Sequence, residues 1–170
     1  ILIFTLVLVC LMTAVSQTVS YMPGEKIEYN VHYGVINGGI ATLSVTRDTS
    51  TGIEMYHSKM EAKTVGMVDA IFKVKDIYES YINPETELPV RSIRNISEGR
   101  YKRYNVVLFD HTTRQDSAIL DSDLTGIHIA PKGIHDILSC FYWFRNHILP
   151  DMDSVKKGEM ITIITWFTDE

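Results

Sequence analysis

KIEYNVHYGVINGGIATLSV, residues 26–45, decides the fold class. Ile27, Tyr29, Val31 and Tyr33 alternate with Lys26, Glu28, Asn30 and His32. A period of two sends successive side chains to opposite faces, which is the pattern of a half-buried antiparallel strand. Asn37-Gly38 then supplies residues that tolerate positive φ, so a tight hairpin turn is expected there. Ala41, Leu43 and Val45 resume the inward face, with Thr42, Ser44 and Thr46 outward.

The alternation continues beyond this hairpin. Tyr56, Met60 and Ala62 alternate with His57, Lys59, Glu61 and Lys63, and GMVDAIFKV (66–74) reads as a short helix. Strands are expected at 75–82, 90–96, 101–109, 116–120 and 126–129, with Asn83-Pro84 and Glu98-Gly99 as turns. GIHDILSCFYWFRNHILP (133–150) breaks the pattern. Ile134, Ile137, Leu138, Phe141, Phe144 and Ile148 fall at helical spacing, between Gly133 and Pro150 as punctuation. Asp136, or the Lys132-Gly133 turn, is the expected cap, with Ser139 following. MITIITWFTDE (160–170) reads as a buried strand. The expected fold is mainly β: a curved antiparallel sheet, a β-roll or half-barrel, packed against one aromatic-rich helix and a short helix.

Residues 1–15, ILIFTLVLVCLMTAV, carry no charge and have the length of a secretory h-region, shorter than a membrane span. Ala14-Val15-Ser16 suits signal peptidase, so residues 1–16 read as a signal peptide and 17–170 as one exported domain. The Met and basic residues that usually open such a signal are missing, as expected of a clipped start. Val9 before Cys10 argues against a lipobox. Cys140 is then the sole cysteine of the mature part, so no internal disulfide forms. The net charge of −5 is mild and implies no polyanion partner.

The polar residues of 133–150 invite a catalytic reading that their spacing does not support. Cys140 and His147 share a helix face but lie about 10 Å apart along the axis, beyond hydrogen-bond reach. His135 and Ser139 are closer, yet no strained elbow presents the hydroxyl. The histidines are scattered without metal-ligand spacing. Asp121-Ser122-Asp123-Leu124-Thr125-Gly126 starts like a calcium loop but places Lys132 where a Glu is required. Gly34, Gly38 and Gly39 suit a hairpin, not a phosphate cradle. No cofactor or metal is implied, and a hydrolase is the weakest reading. Arg91, Arg94, Arg100, Lys102 and Arg103 flank one turn and could form an anionic-headgroup patch. Interleaved Tyr101 and Tyr104 would also suit nucleic acid, which an exported acidic protein rarely meets.

Four segments, 24–45, 65–89, 98–110 (EGRYKRYNVVLFD) and 134–145 (IHDILSCFYWFR), resemble the domain of unknown function 3108 family of Gram-negative envelope proteins. The resemblance implies a secreted, periplasm-facing, sheet-rich domain with no established enzyme activity and no catalytic residues to carry over. Family members continue with further strands, so an incomplete C-terminal sheet with an exposed edge is expected. The recurrent helix pattern maps to Asp136, Ser139, Tyr142 and Arg145, read as a cap, a packing residue and helix-surface anchors.

Two functions from different classes follow. The first is a binding module for a lipid or other amphipathic molecule, by analogy of architecture with envelope carriers. Tyr29, Tyr33, Met60, Phe72, Phe141, Tyr142 and Trp143 would line its groove, with Arg145 or the basic hairpin at the headgroup. The second is a structural or assembly protein that meets another envelope protein or a glycan. A cavity favours the first; a filled core with exposed apolar surface favours the second.

Overall fold

The computed structural model of the chain describes residues 21–167. The signal segment and its cleavage point lie outside the described residues. Eight strands follow one another in a single sheet: β1 (Lys26–Tyr33), β2 (Ile36–Asp48), β3 (Met55–Thr64), β4 (Lys75–Ile82), β5 (Pro89–Glu98), β6 (Tyr101–Asp110), β7 (Ser117–Ser122) and β8 (Gly126–Pro131). Each pairs antiparallel with its chain neighbour, and β1 and β8 are open edges. A short helix α1 (Gly66–Ile71) joins β3 to β4, and the main helix α2 (Ile137–His147) follows β8. The fold is mainly β, as the alternation indicates.

The first hairpin turns three residues earlier than expected. Tyr33 pairs with Ile36, so Gly34-Val35 forms the loop. Gly34 has φ 61° and holds the first central position, where a II′ hairpin turn requires positive φ. Asn37-Gly38 instead enters β2, and a bulge between Val31 and His32 absorbs Gly38. At this edge Tyr29 and Val31 stay half exposed, so the alternation of β1 marks a strand without marking a fully buried face.

The register defines an inner face row by row. Val45, Ser58, Ser80, Ser92, Val107 and Ser122 stand opposite one another across six strands. Arg47, Tyr56 and Ile82 form part of the next row, and Phe109, Leu120 and His128 continue it on β6 to β8. One apolar cluster joins Leu43, Val45, Ile82, Tyr142 and Tyr21; another joins Val107, Phe109, Ala118, Leu120, Ala130 and Ile134, with Trp166 against it.

Helix α2 lies over β3 and β4 with a face rotated from the expected stripe, of which Ile134 and Leu138 are buried as expected. Leu138, Ser139 and Tyr142 are its buried residues, whereas Phe141 and Phe144 are half-buried. The reason is the floor. Ser58, beside the Tyr142 hydroxyl, and Ser80, beside Asp136, are small and fully buried, which leaves room for the helix where a row of Leu or Ile would exclude it. Asp136 is the cap: its side chain accepts from Ser139 N at 2.7 Å, and Asp136 N donates to Ser139 Oγ at 2.9 Å. This reciprocal capping box satisfies two amides at the helix start.

The segment before residue 168 is not a strand. Thr165 makes one parallel bridge to His135, while Ile161 and Ile164 stay exposed. His135 N donates to Ile164 O and Trp166 N to His135 O, so the segment crosses the entry of α2 instead of joining the sheet ladder.

Candidate functional site

The residues that sequence reasoning nominated for ligand binding fall in three places. Tyr142 is fully buried, with its ring 4.3 Å from Tyr21 and 5.3 Å from Phe141. Burial raises its hydroxyl pKa, with Ser58 beside it acting in the opposite sense. Arg145 forks onto Glu25 at 2.7 and 3.0 Å and lies over the Phe141 and Tyr142 rings. Tyr29 stands nearby on the β1 edge. Tyr142, Phe141, Met60 and Arg145 therefore tie the 21–25 segment to the core instead of lining an empty groove. The side chain of Tyr33 lies outside the described residues. Phe72 lies against Gly99, far from α2 in the chain and on the α1 side of the sheet.

The basic hairpin does not form one patch, because the period of two divides it. Arg94 and Arg103 pair opposite Asn105 and Ile96 on the inner face, while Arg91, opposite Leu108, is on the outer one. Arg94 Nη1 donates to Phe167 O at 2.7 Å, and Arg91 lies 3.8 Å over the Tyr81 ring. Arg100 sits exposed in the turn.

Trp143 belongs to a different environment, built around the 83–88 loop between β4 and β5. Asn83 Oδ1 accepts from Glu85 N and Thr86 N, and Asn83 N donates to Leu88 O, which folds the loop onto itself. Glu87 completes the turn at φ 58°, the one positive φ outside glycine among the described residues. Such a backbone persists where neighbours over-determine it. Here the Glu87 carboxylate accepts from Asn146 Nδ2 at 2.6 Å and from His147 Nε2, clamping the loop to the last turn of α2.

Grooves flank this loop on both sides. One, about 410 Å³ and open to solvent, is lined mostly by apolar surface including Leu88, Pro89, Val90 and Phe109, with Asp110, His111 and Lys132 at its wall. The other, about 280 Å³, shares Thr86 and Leu88 with the first and is lined by His135, Trp143, Ile163 and Ile164. The Trp143 ring stands between His135, 5.9 Å away, and His147, 4.8 Å away. His135 is buried, and burial followed by the nearby His111 pushes its pKa down to about 4. His111 is also lowered by burial, and its Nε2–H donates to Pro89 O at 3.2 Å.

His135 Nδ1 lies 3.2 Å from Ser139 Oγ, but that hydroxyl is buried inside the capping box and Asp136 binds the Ser139 amide instead of the imidazole. A nucleophile needs its base and an approach for substrate, and this arrangement is a helix cap. Burial raises the Asp136 pKa. Beneath it, the space beside Asp136, Arg94, Asn105 and Trp166 admits about one water molecule, so the inner face under the start of α2 is filled.

Sequence reasoning missed Leu88, Glu87, His111 and Lys132. The Asn83-Pro84 signal marked a turn, but no local pattern shows that the turn separates two grooves.

An open antiparallel meander, closed on its inner face by one capped helix and grooved at one rim, is the class this geometry defines. Within it, the chain belongs to the family described as Protein of unknown function (DUF3108), which matches residues 28–170. No curated protein and no solved structure matches the chain.

Proposed function

We propose that the chain is a non-catalytic binding module of the cell envelope that holds an apolar or amphipathic ligand, such as a lipid, along the grooves around the 83–88 loop. One observation carries this reading: two open, mainly apolar grooves meet at Leu88 and Thr86 and together reach Trp143. The wider groove, about 410 Å³, lies in the range of small-molecule sites, roughly 300–1,000 Å³, and the narrower one, about 280 Å³, falls just under it. The filled inner face under the start of α2 supports a site at the rim over one beneath the helix.

Native mass spectrometry of protein purified from the periplasm, followed by organic extraction, tests for a bound ligand. In parallel, the apolar fluorophore N-phenylnaphthylamine should bind the wild type. Binding should fall away in Leu88→Asp, a half-exposed position whose substitution leaves the melting temperature within about 4 °C. Equal binding by both proteins, or none by either, refutes the reading.

A docking surface for another envelope protein is the second reading. It is favoured by the outer face, where Leu108, Ile127 and Ile129 are exposed beside a β8 edge that carries no charged side chain. Ile129→Lys would abolish a specific envelope cross-link and leave fluorophore binding intact; the reverse pattern refutes it.

A further inference from the structure

We infer that the groove selects amphiphiles with a single anionic head, a carboxylate or a phosphate held at Lys132, with the chain laid over Leu88 toward Trp143. The inference rests on the groove reading above and adds the sign of the ligand's charge.

The argument starts from the two charged side chains on the wider groove, Asp110 and Lys132. Asp110 is already engaged by its own turn. Its Oδ1 accepts from Thr112 N at 2.7 Å, Thr112 Oγ1 at 2.9 Å and Thr113 N at 2.9 Å. These donors, all at Oδ1, hold the carboxylate in its own turn and keep it ionised, so Asp110 is the fixed anion of this wall. Lys132 is engaged differently. Its ammonium donates to Arg114 O at 2.7 Å and to His111 O, two neutral acceptors. Among the described residues no carboxylate pairs with it. An ammonium has three donors, so one remains for a ligand, and the two carbonyls fix where it points.

A positioned cation beside an apolar floor matches one kind of occupant: an apolar chain ending in an anion. A cationic head would meet like charge at Lys132, while Asp110 on the same wall already takes three bonds from its own turn. His111 does not compete as a cation, because its ring packs against Phe109 and burial disfavours the charged form, outweighing the bond to the Pro89 carbonyl. The second groove, past Leu88, supplies Trp143, Ile163 and Ile164 for the remainder of the chain.

Displacement of N-phenylnaphthylamine from the whole protein by twelve-carbon amphiphiles, each below its micelle concentration, tests the charge preference. Dodecanoate, dodecyl phosphate, dodecanol and dodecyltrimethylammonium are compared at low salt. An exposed ion pair contributes up to about fivefold and like-charge repulsion a similar factor, so the better anion should displace at concentrations about tenfold, and at most about 25-fold, below the ammonium. The order of the two anions identifies the head. Lys132→Gln should bring anion and ammonium to within about twofold, and Lys132→Arg should keep the preference. Should Lys132→Gln fail to fold, the wild type still decides, since an electrostatic preference weakens between about 20 and 500 mM salt. Equal displacement by all four compounds, or a preference that survives Lys132→Gln or high salt, overturns this inference and leaves the groove standing. No displacement by any of them overturns the groove itself.

Discussion

Adjacent aromatic residues on α2 should respond to truncation in opposite ways. Tyr142 is fully buried beside Ser58 and contacts Tyr21, Phe141 and the Arg145 guanidinium. Tyr142→Ala removes a whole ring from a floor of small side chains that cannot close the gap. Large-aromatic truncation in a core loses about 3–5 kcal/mol, and lost ring pairs lie at the upper end of that range, so about 4 kcal/mol is expected. That is a large share of the roughly 5–15 kcal/mol that holds a domain of this kind folded. With a urea slope near 2 kcal/mol per molar, the unfolding midpoint should fall by about 2 M with the slope unchanged. Trp143→Ala, half-buried on the groove side, should lower stability by about 1 kcal/mol while abolishing fluorophore binding. Urea titrations followed by far-ultraviolet circular dichroism measure both variants. A midpoint shift below about 0.5 M for Tyr142→Ala would refute the filled-core argument, because a ring that lines an accessible cleft can be removed at little loss.

Further outcomes follow from the same contacts. The depressed pKa of His135 means that the unfolded chain takes up protons which the folded one resists. Its stabilising contribution is therefore complete above about pH 6.5, the ordinary value, and is lost as pH falls toward about 4. His135→Asn should flatten the melting-temperature profile in that window, leaving a shallower slope from His111, lowered in the same sense. Glu87→Ala keeps the positive φ while removing both contacts to α2, so stability should drop by about 2 kcal/mol and amide exchange should rise at residues 83–88. Glu87→Gly, which relieves the backbone, should recover about 1 kcal/mol of this; recovery of none argues against strain at that residue. A double-mutant cycle on Glu25 and Arg145 should give a coupling near 1 kcal/mol that shrinks with salt, without change in fluorophore binding.

The strands were legible because alternation is written residue by residue, and β4 was expected at its observed bounds. Misplacement of the first turn shows what local preference leaves open. Asn37-Gly38 has the stronger turn chemistry, yet Gly34 turns the chain, since the register that sets Tyr33 against Ile36 satisfies the whole ladder. The helix was legible as a helix, but not its rotation, which depends on serines in β3 and β4 that no pattern within α2 can report. Arg91 and Arg94 illustrate a different limit. They are close in sequence and on opposite faces, a separation already implied by a period of two. The grooves could not be read at all, because Leu88 in the loop after β4 adjoins Lys132, just past β8, on one side and Trp143, on α2, on the other.

The sheet order, each strand beside its predecessor, has a consequence for how the chain comes together. Every ladder closes a short loop, so hairpins can zip in the order in which they are synthesised, at small entropy loss per step. The long closures lie elsewhere. Arg145 reaches Glu25 across 120 residues, and α2 must fold back over β3 and β4. The slow search thus falls on the docking of one helix onto a sheet whose neighbours are already paired. Variants that weaken this docking, Tyr142→Ala above all, should slow refolding more than variants of the same stability in β7 or β8 if docking precedes the transition state, and speed unfolding if it follows.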